Sequence, residues 1–272
     1  MEEKRLRMAE LHSECGSAAA DKAEVDSLLK STYCLQRRTI NADPAPAIRD
    51  LRAQWPLLFV QKSLYSHFEL LTGVPIRKME QAVEERGRLI IDYFKSKATN
   101  DVVKKVLGTH GEEEVAALII ELLMAHFKEK TEDLILKTEE TASAANIERT
   151  LDLAESPRLI ILGERLSGQK WMVGIEGQVV CEGVQPTFSS GLAALFVCYY
   201  NFNLQYQEGA ACTLEFIQRN FFRINPERGS KAGRGKVIRK RTGQLVQKKA
   251  LAINPHVCSL MKKLTEFEWD FI

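Results

Sequence analysis

Long apolar segments are missing from this sequence. Its longest apolar runs, Val115–Met124 and Leu192–Tyr200, fall far short of the roughly 20 residues that a membrane-spanning helix needs. The start, Met1–Met8, is charged and lacks the apolar core of a signal peptide. We therefore expect a soluble protein of the cytoplasm or nucleus that has no membrane partner.

Closely spaced cysteines and histidines are also missing. The six cysteines are scattered without a CxxC pair, and the five histidines form no HxH or HExxH motif. Because zinc sites usually show such spacings, we predict no metal site. Cys198 and Cys212 lie in apolar helical contexts, where a thiol is usually buried and inert. His67 and His126 lie beside aromatic residues, which favours hydrogen-bonded packing residues over ligands.

The common catalytic and nucleotide-binding motifs are absent as well. The stretch Ser189–Gly191 lacks the GxSxG pattern of a nucleophile elbow, and we interpret Ser189 or Ser190 as a helix N-cap. The run from Gly229 to Gly235 is one residue longer than a phosphate-binding loop needs, and Val237 replaces the required hydroxyl residue. We therefore predict no catalytic residue and no cofactor, and we expect that the protein is not an enzyme.

The charge distribution is the most informative feature present. Residues 223–249 contain ten lysine or arginine residues and one acid, Glu227, whereas residues 1–222 contain 26 basic and 32 acidic side chains. The formal net charge of +2 therefore conceals an acidic body that carries a basic segment. We call residues 228–249 the basic tract and predict that it forms a loop.

Three roles remain open for the basic tract. It could act as a nuclear import signal, as a phosphate contact for nucleic acid, or as a solvated loop that has no specific role or makes an electrostatic contact with a partner. No aromatic residue lies among its charges, which disfavours stacking on single-stranded bases. The candidate contact residues are Lys231, Arg234, Lys236, Arg239, Lys240, Arg241, Lys248 and Lys249.

Hydrophobic periodicity predicts a helical N-terminal half. We expect a flexible lead over residues 1–20 and a helical region over residues 21–150. Residues 115–127 are apolar nearly all round, which indicates a helix buried on most sides. The polar stretch 128–156 is typical of an exposed helix and linker, and it is our predicted domain boundary.

A different pattern follows over residues 151–272, where we predict an α+β region. Arg158–Gly163 is a short apolar run typical of a buried strand, and Glu176–Gly177 joins two alternating runs as a hairpin turn. Helices are predicted over Gly191–Leu204 and Ala210–Phe222. Their dense aromatic residues are interpreted as core. The predicted fold is α+β and predominantly helical, with a small antiparallel sheet packed on apolar helices.

Several short strings of the sequence form a recognisable set: Arg37-Arg38, Ile40-Asn41, Trp55–Phe59, Gly191–Phe196, Leu214–Arg219, Ile224–Lys231 and Phe267–Phe271. Together they resemble a vertebrate group of sterile alpha motif domain-containing protein 3-like proteins. The resemblance covers residues 25–272 and concerns the region outside the sterile alpha motif itself. It implies a domain-sized unit rather than an enzyme.

Together these observations favour a non-enzymatic intracellular protein-interaction module with an unidentified protein partner. The alternative is a nuclear protein that associates with nucleic acid through phosphate contacts of the basic tract.

Overall fold

The computed structural model describes residues 2–19, 22–109, 114–166, 170–183, 187–225, 231, 236–238, 245–247 and 253–269. The α-helices are α1 Glu2–Ala19, α2 Lys22–Ile40, α3 Ile48–Gln54, α4 Gln61–Thr72, α5 Arg77–Ser96, α6 Asp101–Thr109, α7 Val115–Phe127, α8 Ala144–Thr150, α9 Phe188–Asn201, α10 Ala211–Phe216 and α11 Pro255–Trp269. The strands are β1 Ile135–Thr138, β2 Arg158–Leu162, β3 Lys170–Ile175, β4 Gln178–Glu182, β5 Lys236–Ile238 and β6 Leu245–Gln247. The fold is α+β and mostly helical, as predicted.

The larger sheet has the strand order β1-β2-β3-β4. Strands β2, β3 and β4 are antiparallel neighbours, which confirms the predicted strand and hairpin. Strand β1 was not predicted and lies parallel to β2, with Leu136 opposite Ile160, so the sheet is mixed rather than antiparallel. The interpretation of residues 128–156 as an exposed helix and linker is wrong for β1, because Ile135 is buried.

The chain divides into two compact units that each combine two segments. Unit 1 comprises Met1–Ile76 and Leu134–Leu204, and unit 2 comprises Arg77–Asp133 and Gln205–Ile272. This division differs from the predicted boundary at residue 150. The physical reason is the sheet: β1 precedes that boundary and β2 follows it, yet the two strands pair with each other.

The segment predicted as a flexible lead forms helix α1. Met8 is fully buried and Leu11 is nearly so, and both lie on the same side of the helix at i, i+3 spacing. This helix is difficult to predict from the sequence, because charged residues surround its few apolar residues and its apolar face is narrow. Tertiary burial rather than local propensity therefore accounts for its order.

Both faces of the larger sheet are covered in unit 1. Gly191 of α9 lies against one face, where an added Cβ would come within 2.9 Å of both Leu159 and Trp171. The indole nitrogen of Trp171 donates to Ser190 Oγ at 2.9 Å. The opposite face packs on Ile147 of α8. Successive residues of a strand point to opposite faces of the sheet. Because both faces are covered, β2 is apolar at consecutive positions.

The hairpin turn between β3 and β4 also stabilises a helix in unit 1. Glu176 has a φ of 50° and Gly177 a φ of 76°, the left-handed conformations that a two-residue hairpin turn requires. The Glu176 carboxylate accepts a hydrogen bond from the backbone nitrogen of Ile48 at 2.8 Å. This contact satisfies the start of α3, whose N-cap Ala47 offers no side-chain acceptor.

Helix α9 begins earlier than predicted. Its N-cap is Thr187, whose hydroxyl accepts from the backbone nitrogen of Ser190 at 3.1 Å, so the assignment of Ser189 or Ser190 as N-cap is wrong. The aromatic residues of this region are core, as predicted. The buried ones are Phe188, Phe196, Tyr199, Phe202, Tyr206, Phe216, Phe221 and Phe222.

In unit 2, helix α5 passes close to α7 at a glycine. An added Cβ on Gly87 would lie 2.9 Å from Val115 Cγ1 and 3.1 Å from Ile119 Cδ1. Helix α7 is buried over most of its surface, as its apolar sequence predicts. Helix α7 also contacts α6 and α10. Helix α10 is the last α-helix before the basic tract in the sequence.

Candidate functional site at the base of the basic tract

The structure describes part of the basic tract. Strands β5 and β6 pair antiparallel, with Val237 opposite Val246, so the tract is not the continuous loop that was predicted. Lys236 begins β5, and Lys231 is half-buried. The other candidate contact residues lie outside the described residues: Arg234, Arg239, Lys240, Arg241, Lys248 and Lys249.

The segment that precedes the tract is an α-helix followed by a π-helix. Helix α10 ends at Phe216, and a π-helical turn continues from Ile217 to Phe221. The predicted single helix Ala210–Phe222 is therefore interrupted. Such turns are rare and occur frequently at functional sites. Here the turn is buried, and so are the polar side chains of the segment: Thr213, Glu215, Gln218, Arg219 and Asn220.

Glu215 and Arg219 form a buried ion pair at the centre of this segment. Arg219 Nε donates to Glu215 Oε1 at 2.8 Å, and the two side chains are 2% and 1% exposed. A charge removed from water is strongly unfavourable unless it is paired and hydrogen-bonded. The pair therefore needs further partners for its remaining donors and acceptors.

Two of those partners flank the basic tract on opposite sides. Arg219 donates to Asn225 Oδ1 at 3.3 Å, and Glu215 Oε1 accepts from the backbone nitrogen of Asn254 at 3.2 Å. Asn225 precedes the tract and Asn254 follows it, at the start of helix α11. One ion pair therefore holds both ends of the chain excursion that contains the tract.

Gln218 and Tyr206 hold the same region. Gln218 Nε2 donates to the carbonyl of Ile224 at 3.1 Å, and Tyr206 Oη donates to Gln218 Oε1 at 3.0 Å. The backbone nitrogen of Tyr206 donates to the carbonyl of Lys231 at 2.8 Å. We call Tyr206, Glu215, Gln218, Arg219, Asn225 and Asn254 the tract base.

Glu129 fixes the beginning of helix α10. Its carboxylate accepts from the backbone nitrogen of Cys212 at 2.7 Å, and helix α10 has no side-chain cap of its own. Burial raises the pKa of Glu129, and the hydrogen bonds from Thr213 and Cys212 act in the opposite direction. Burial and the neighbouring carboxylates raise the pKa of the Cys212 thiol to about 12, which disfavours a reactive thiolate.

The other residues singled out in the sequence have structural surroundings. His67 Nδ1 lies 2.9 Å from Gln36 Oε1, and His126 Nδ1 lies 2.8 Å from Thr99 Oγ1, which confirms both as hydrogen-bonded packing residues. Burial raises the pKa of the Cys198 thiol well above its usual range, in agreement with the predicted inert thiol. Within the described ranges, no group of three or more potential ligands could hold a metal ion.

Sequence reasoning missed the tract base. An acid and an arginine at i, i+4 on a helix usually form a solvent-exposed pair, so Glu215 and Arg219 were not selected as candidate site residues. A signal was nevertheless present. Gln218, Arg219 and Asn220 are three consecutive polar residues, and Glu215 lies one helical turn before Arg219, within a segment that also contains Leu214, Phe216, Ile217 and Phe221.

The comparison with known families concerns the N-terminal part of the chain. Residues 1–60 match the family described as sterile alpha motif domain-containing protein 3, helical domain. Over these residues the chain is similar to that family. This match confirms the predicted resemblance but lies at residues 1–60, whereas we had placed the resemblance over residues 25–272. No curated protein and no solved structure matches the chain.

The match to this helical domain hints at a protein-interaction module. The matched range includes helices α1, α2 and α3 of unit 1. None of the helices in the described part of the chain combines the length and the apolar content that crossing a lipid bilayer requires.

Proposed function

We propose that this chain is a non-enzymatic protein-interaction module that contacts an acidic protein partner through the basic tract, in the cytoplasm or the nucleus. The observation that carries the proposal is the buried Glu215–Arg219 pair, which is hydrogen-bonded on both sides of the tract. Burying an ion pair costs free energy, and the best-documented role of buried charged groups is to fix one arrangement of the chain. Here the pair fixes Asn225 and Asn254, which lie on either side of a strongly basic segment.

The charge pattern supports an acidic partner. The excess of lysine and arginine within residues 223–249 contrasts with the acidic excess of the preceding 222 residues. Complementary charge increases the rate of encounter and discriminates against partners of the wrong sign. The family resemblance supports a protein as the partner.

The described aromatic residues support a polar rather than an apolar contact. The rings of Tyr206, Phe216, Phe221 and Phe222, which precede the tract in unit 2, are buried and therefore do not offer an apolar contact surface. The absence of aromatic residues within the tract sequence also disfavours stacking on bases.

Binding to an acidic polypeptide tests the proposal directly. Fluorescence anisotropy with labelled poly-L-glutamate would compare the wild type with a variant that carries Arg239→Gln, Lys240→Gln and Arg241→Gln. At about 0.5 kcal/mol per exposed ion pair, loss of three charges weakens binding about tenfold. The salt dependence of binding should also become shallower, because fewer charges are neutralised on association.

A matched control separates the tract from net charge. Lys78, Lys95 and Lys105 are exposed on helices α5 and α6, and their triple substitution by glutamine removes the same total charge. We expect near-wild-type affinity for this control. Equal weakening by both triple variants would overturn the assignment of the contact to the tract.

Mixed-sequence duplex DNA distinguishes the alternative partner. If the wild type binds DNA at low salt and does not bind poly-L-glutamate, the protein-interaction proposal fails in favour of nucleic-acid association. A fluorescent fusion of the same tract variant addresses import, since loss of nuclear signal without loss of poly-L-glutamate binding would identify an import signal.

A further inference from the structure

We infer that a cleft in unit 2, between the end of helix α5 and helix α11, binds a phosphate monoester. Clefts that hold small molecules usually have volumes of roughly 300–1,000 Å³. None of the residues that line this cleft belongs to the basic tract, so the site is independent of the proposed function. The cleft has a volume of about 380 Å³ and is lined by Tyr93, Lys97, Thr99, Lys263, Glu266 and Phe267.

The Tyr93 hydroxyl is an unused hydrogen-bonding group in the wall of the cleft. Tyr93 is 4% exposed, and its ring packs edge-on against Phe267 with the ring centroids 5.5 Å apart. The hydroxyl makes no hydrogen bond within the described part of the chain, yet it is not among the fully enclosed atoms that lack a partner, so it reaches the cleft. Burial raises the pKa of Tyr93, which keeps the hydroxyl protonated and able to donate at neutral pH.

Two ammonium groups lie at the same cleft. Lys97 follows helix α5, and its backbone nitrogen donates to the carbonyl of Tyr93 at 2.7 Å. Lys263 lies on helix α11. Neither lysine forms an ion pair with an acidic residue in the described ranges, whereas Lys262 Nζ lies 3.6 Å from Glu266 Oε1. The acid that lines the cleft thus has its own cationic partner, and Lys97 and Lys263 can pair with a ligand.

The surroundings of Thr99 show that positive charge accumulates on this side of unit 2. Thr99 Oγ1 lies 2.8 Å from His126 Nδ1. Burial lowers the pKa of His126 to about 4, and the neighbouring Lys263 and His256 of helix α11 add to this effect. An environment that disfavours a further positive charge favours a negatively charged ligand at the same place.

The lining groups suit a phosphate monoester better than a carboxylate. A phosphate monoester carries about two negative charges at pH 7 and three acceptor oxygens. Lys97 and Lys263 can offset both charges, and Tyr93 and Thr99 supply neutral hydrogen-bonding groups for the oxygens. A carboxylate carries one charge and would leave one ammonium group unpaired. Phosphoserine in a partner protein and free phosphate both present the required chemistry.

Titration followed by amide NMR chemical shifts tests the site with two probes: inorganic phosphate, and a capped pentapeptide that has phosphoserine between alanines. We expect a dissociation constant on the order of 1 mM for the wild type. Lys97→Gln and Lys263→Gln should each weaken binding about two-fold to five-fold. Tyr93→Phe should weaken it about two-fold to ten-fold without changing the melting temperature. Glu266→Gln should tighten binding about two-fold, because it removes a negative charge and releases Lys262.

Two control variants keep the cleft intact. Lys95→Gln removes the same charge from an exposed position of helix α5 that does not line the cleft. The tract variant with Arg239→Gln, Lys240→Gln and Arg241→Gln removes charge from the tract alone. Both should bind the two probes as tightly as the wild type does. Weaker binding by the tract variant would place phosphate on the tract and overturn the assignment.

The two probes separate the sources of the phosphate group. Tighter binding of the peptide supports a phosphorylated protein as the ligand, and binding of inorganic phosphate that is at least as tight supports free phosphate. Acetate that binds as tightly as phosphate would overturn the phosphate assignment. Wild-type affinity in both Lys97→Gln and Lys263→Gln would overturn the site, as would a wild-type protein that binds neither probe.

Discussion

The carboxylate of Glu129 accepts hydrogen bonds from both the backbone nitrogen and the hydroxyl of Thr213, at 3.1 and 2.6 Å. A residue distant in sequence thus acts as the cap of helix α10. This arrangement satisfies backbone donors that the helix start would otherwise leave unpaired. It also places a negative charge at the positive end of the helix.

Substitution Glu129→Ala should destabilise unit 2. Loss of a helix cap together with buried donors left unpaired costs about 2 kcal/mol. Urea unfolding would measure the change. Glu84→Ala, which alters an exposed acid on helix α5, serves as the control and should remain within about 0.5 kcal/mol of wild type. An equal effect of the two substitutions would contradict the capping role.

His67 should make stability depend on pH. Burial lowers the pKa of His67 to about 3, and the positive charge of Arg37 adds to this effect. The unfolded chain, with an ordinary pKa of 6.5, takes up the proton first as the pH falls. The stabilisation is therefore complete above about pH 6.5 and is lost towards pH 3, with a slope of up to about 1.4 kcal/mol per pH unit.

Substitution His67→Gln tests this dependence. The variant should be less stable than wild type at neutral pH, because the contact with Gln36 is altered, yet its stability should fall less steeply on acidification. Urea unfolding at several pH values measures both effects. His12→Gln, at an exposed position, should retain the wild-type slope. A wild-type slope in His67→Gln would refute the prediction.

Gly191 permits close approach of helix α9 to the sheet. Gly191→Ala should destabilise unit 1 by about 1–3 kcal/mol through overlap with Leu159 and Trp171. The intrinsic helix preference for alanine acts in the opposite direction by about 1 kcal/mol. The control is Gly108→Ala in α6, where an added Cβ meets nothing within 4 Å. Chemical denaturation that finds both variants as stable as wild type would rule out the steric explanation.

Arg52 and Glu148 cover the edge of strand β4. Arg52 donates to the carbonyl of Val179, and Glu148 accepts from its backbone nitrogen, both at 2.8 Å. A bare sheet edge is a template for pairing with another chain. Replacing both side chains by alanine should therefore promote self-association, which sedimentation velocity would detect.

The control for the edge is the pair Arg49→Ala and Glu155→Ala, two exposed residues of opposite charge. This variant should remain at the wild-type sedimentation coefficient. Self-association in the control but not in the edge variant would contradict the protective role of Arg52 and Glu148.

Local patterns sufficed for the centre of the sheet. Strand β2 and the β3–β4 hairpin follow from apolar runs and from the acid–glycine turn at Glu176, and these signals act over only a few residues. Strand β1 was missed because four residues with alternating exposure carry little signal. Its pairing partner β2 lies beyond helix α8, so only tertiary contact identifies it.

The candidate site shows the same distinction. The basic tract is visible as composition, whereas the tract base is not, because Glu215 and Arg219 have the spacing of an ordinary surface pair. Their burial depends on segments that come together from distant parts of the chain. No pattern within residues 211–221 specifies the bonds to Asn225 and Asn254.

The amino-acid sequence alone predicts the mostly helical α+β class, the position of the hairpin and the separation of charge between the acidic body and the basic tract. These properties arise from short-range periodicity and from composition, which do not require a partner segment. The tertiary structure decides the position of β1, the burial of α1 and the Glu215–Arg219 ion pair that bonds to Asn225 and Asn254 on either side of the tract. Each of these depends on which surfaces exclude water together, and that is a property of contacts rather than of neighbours in the chain.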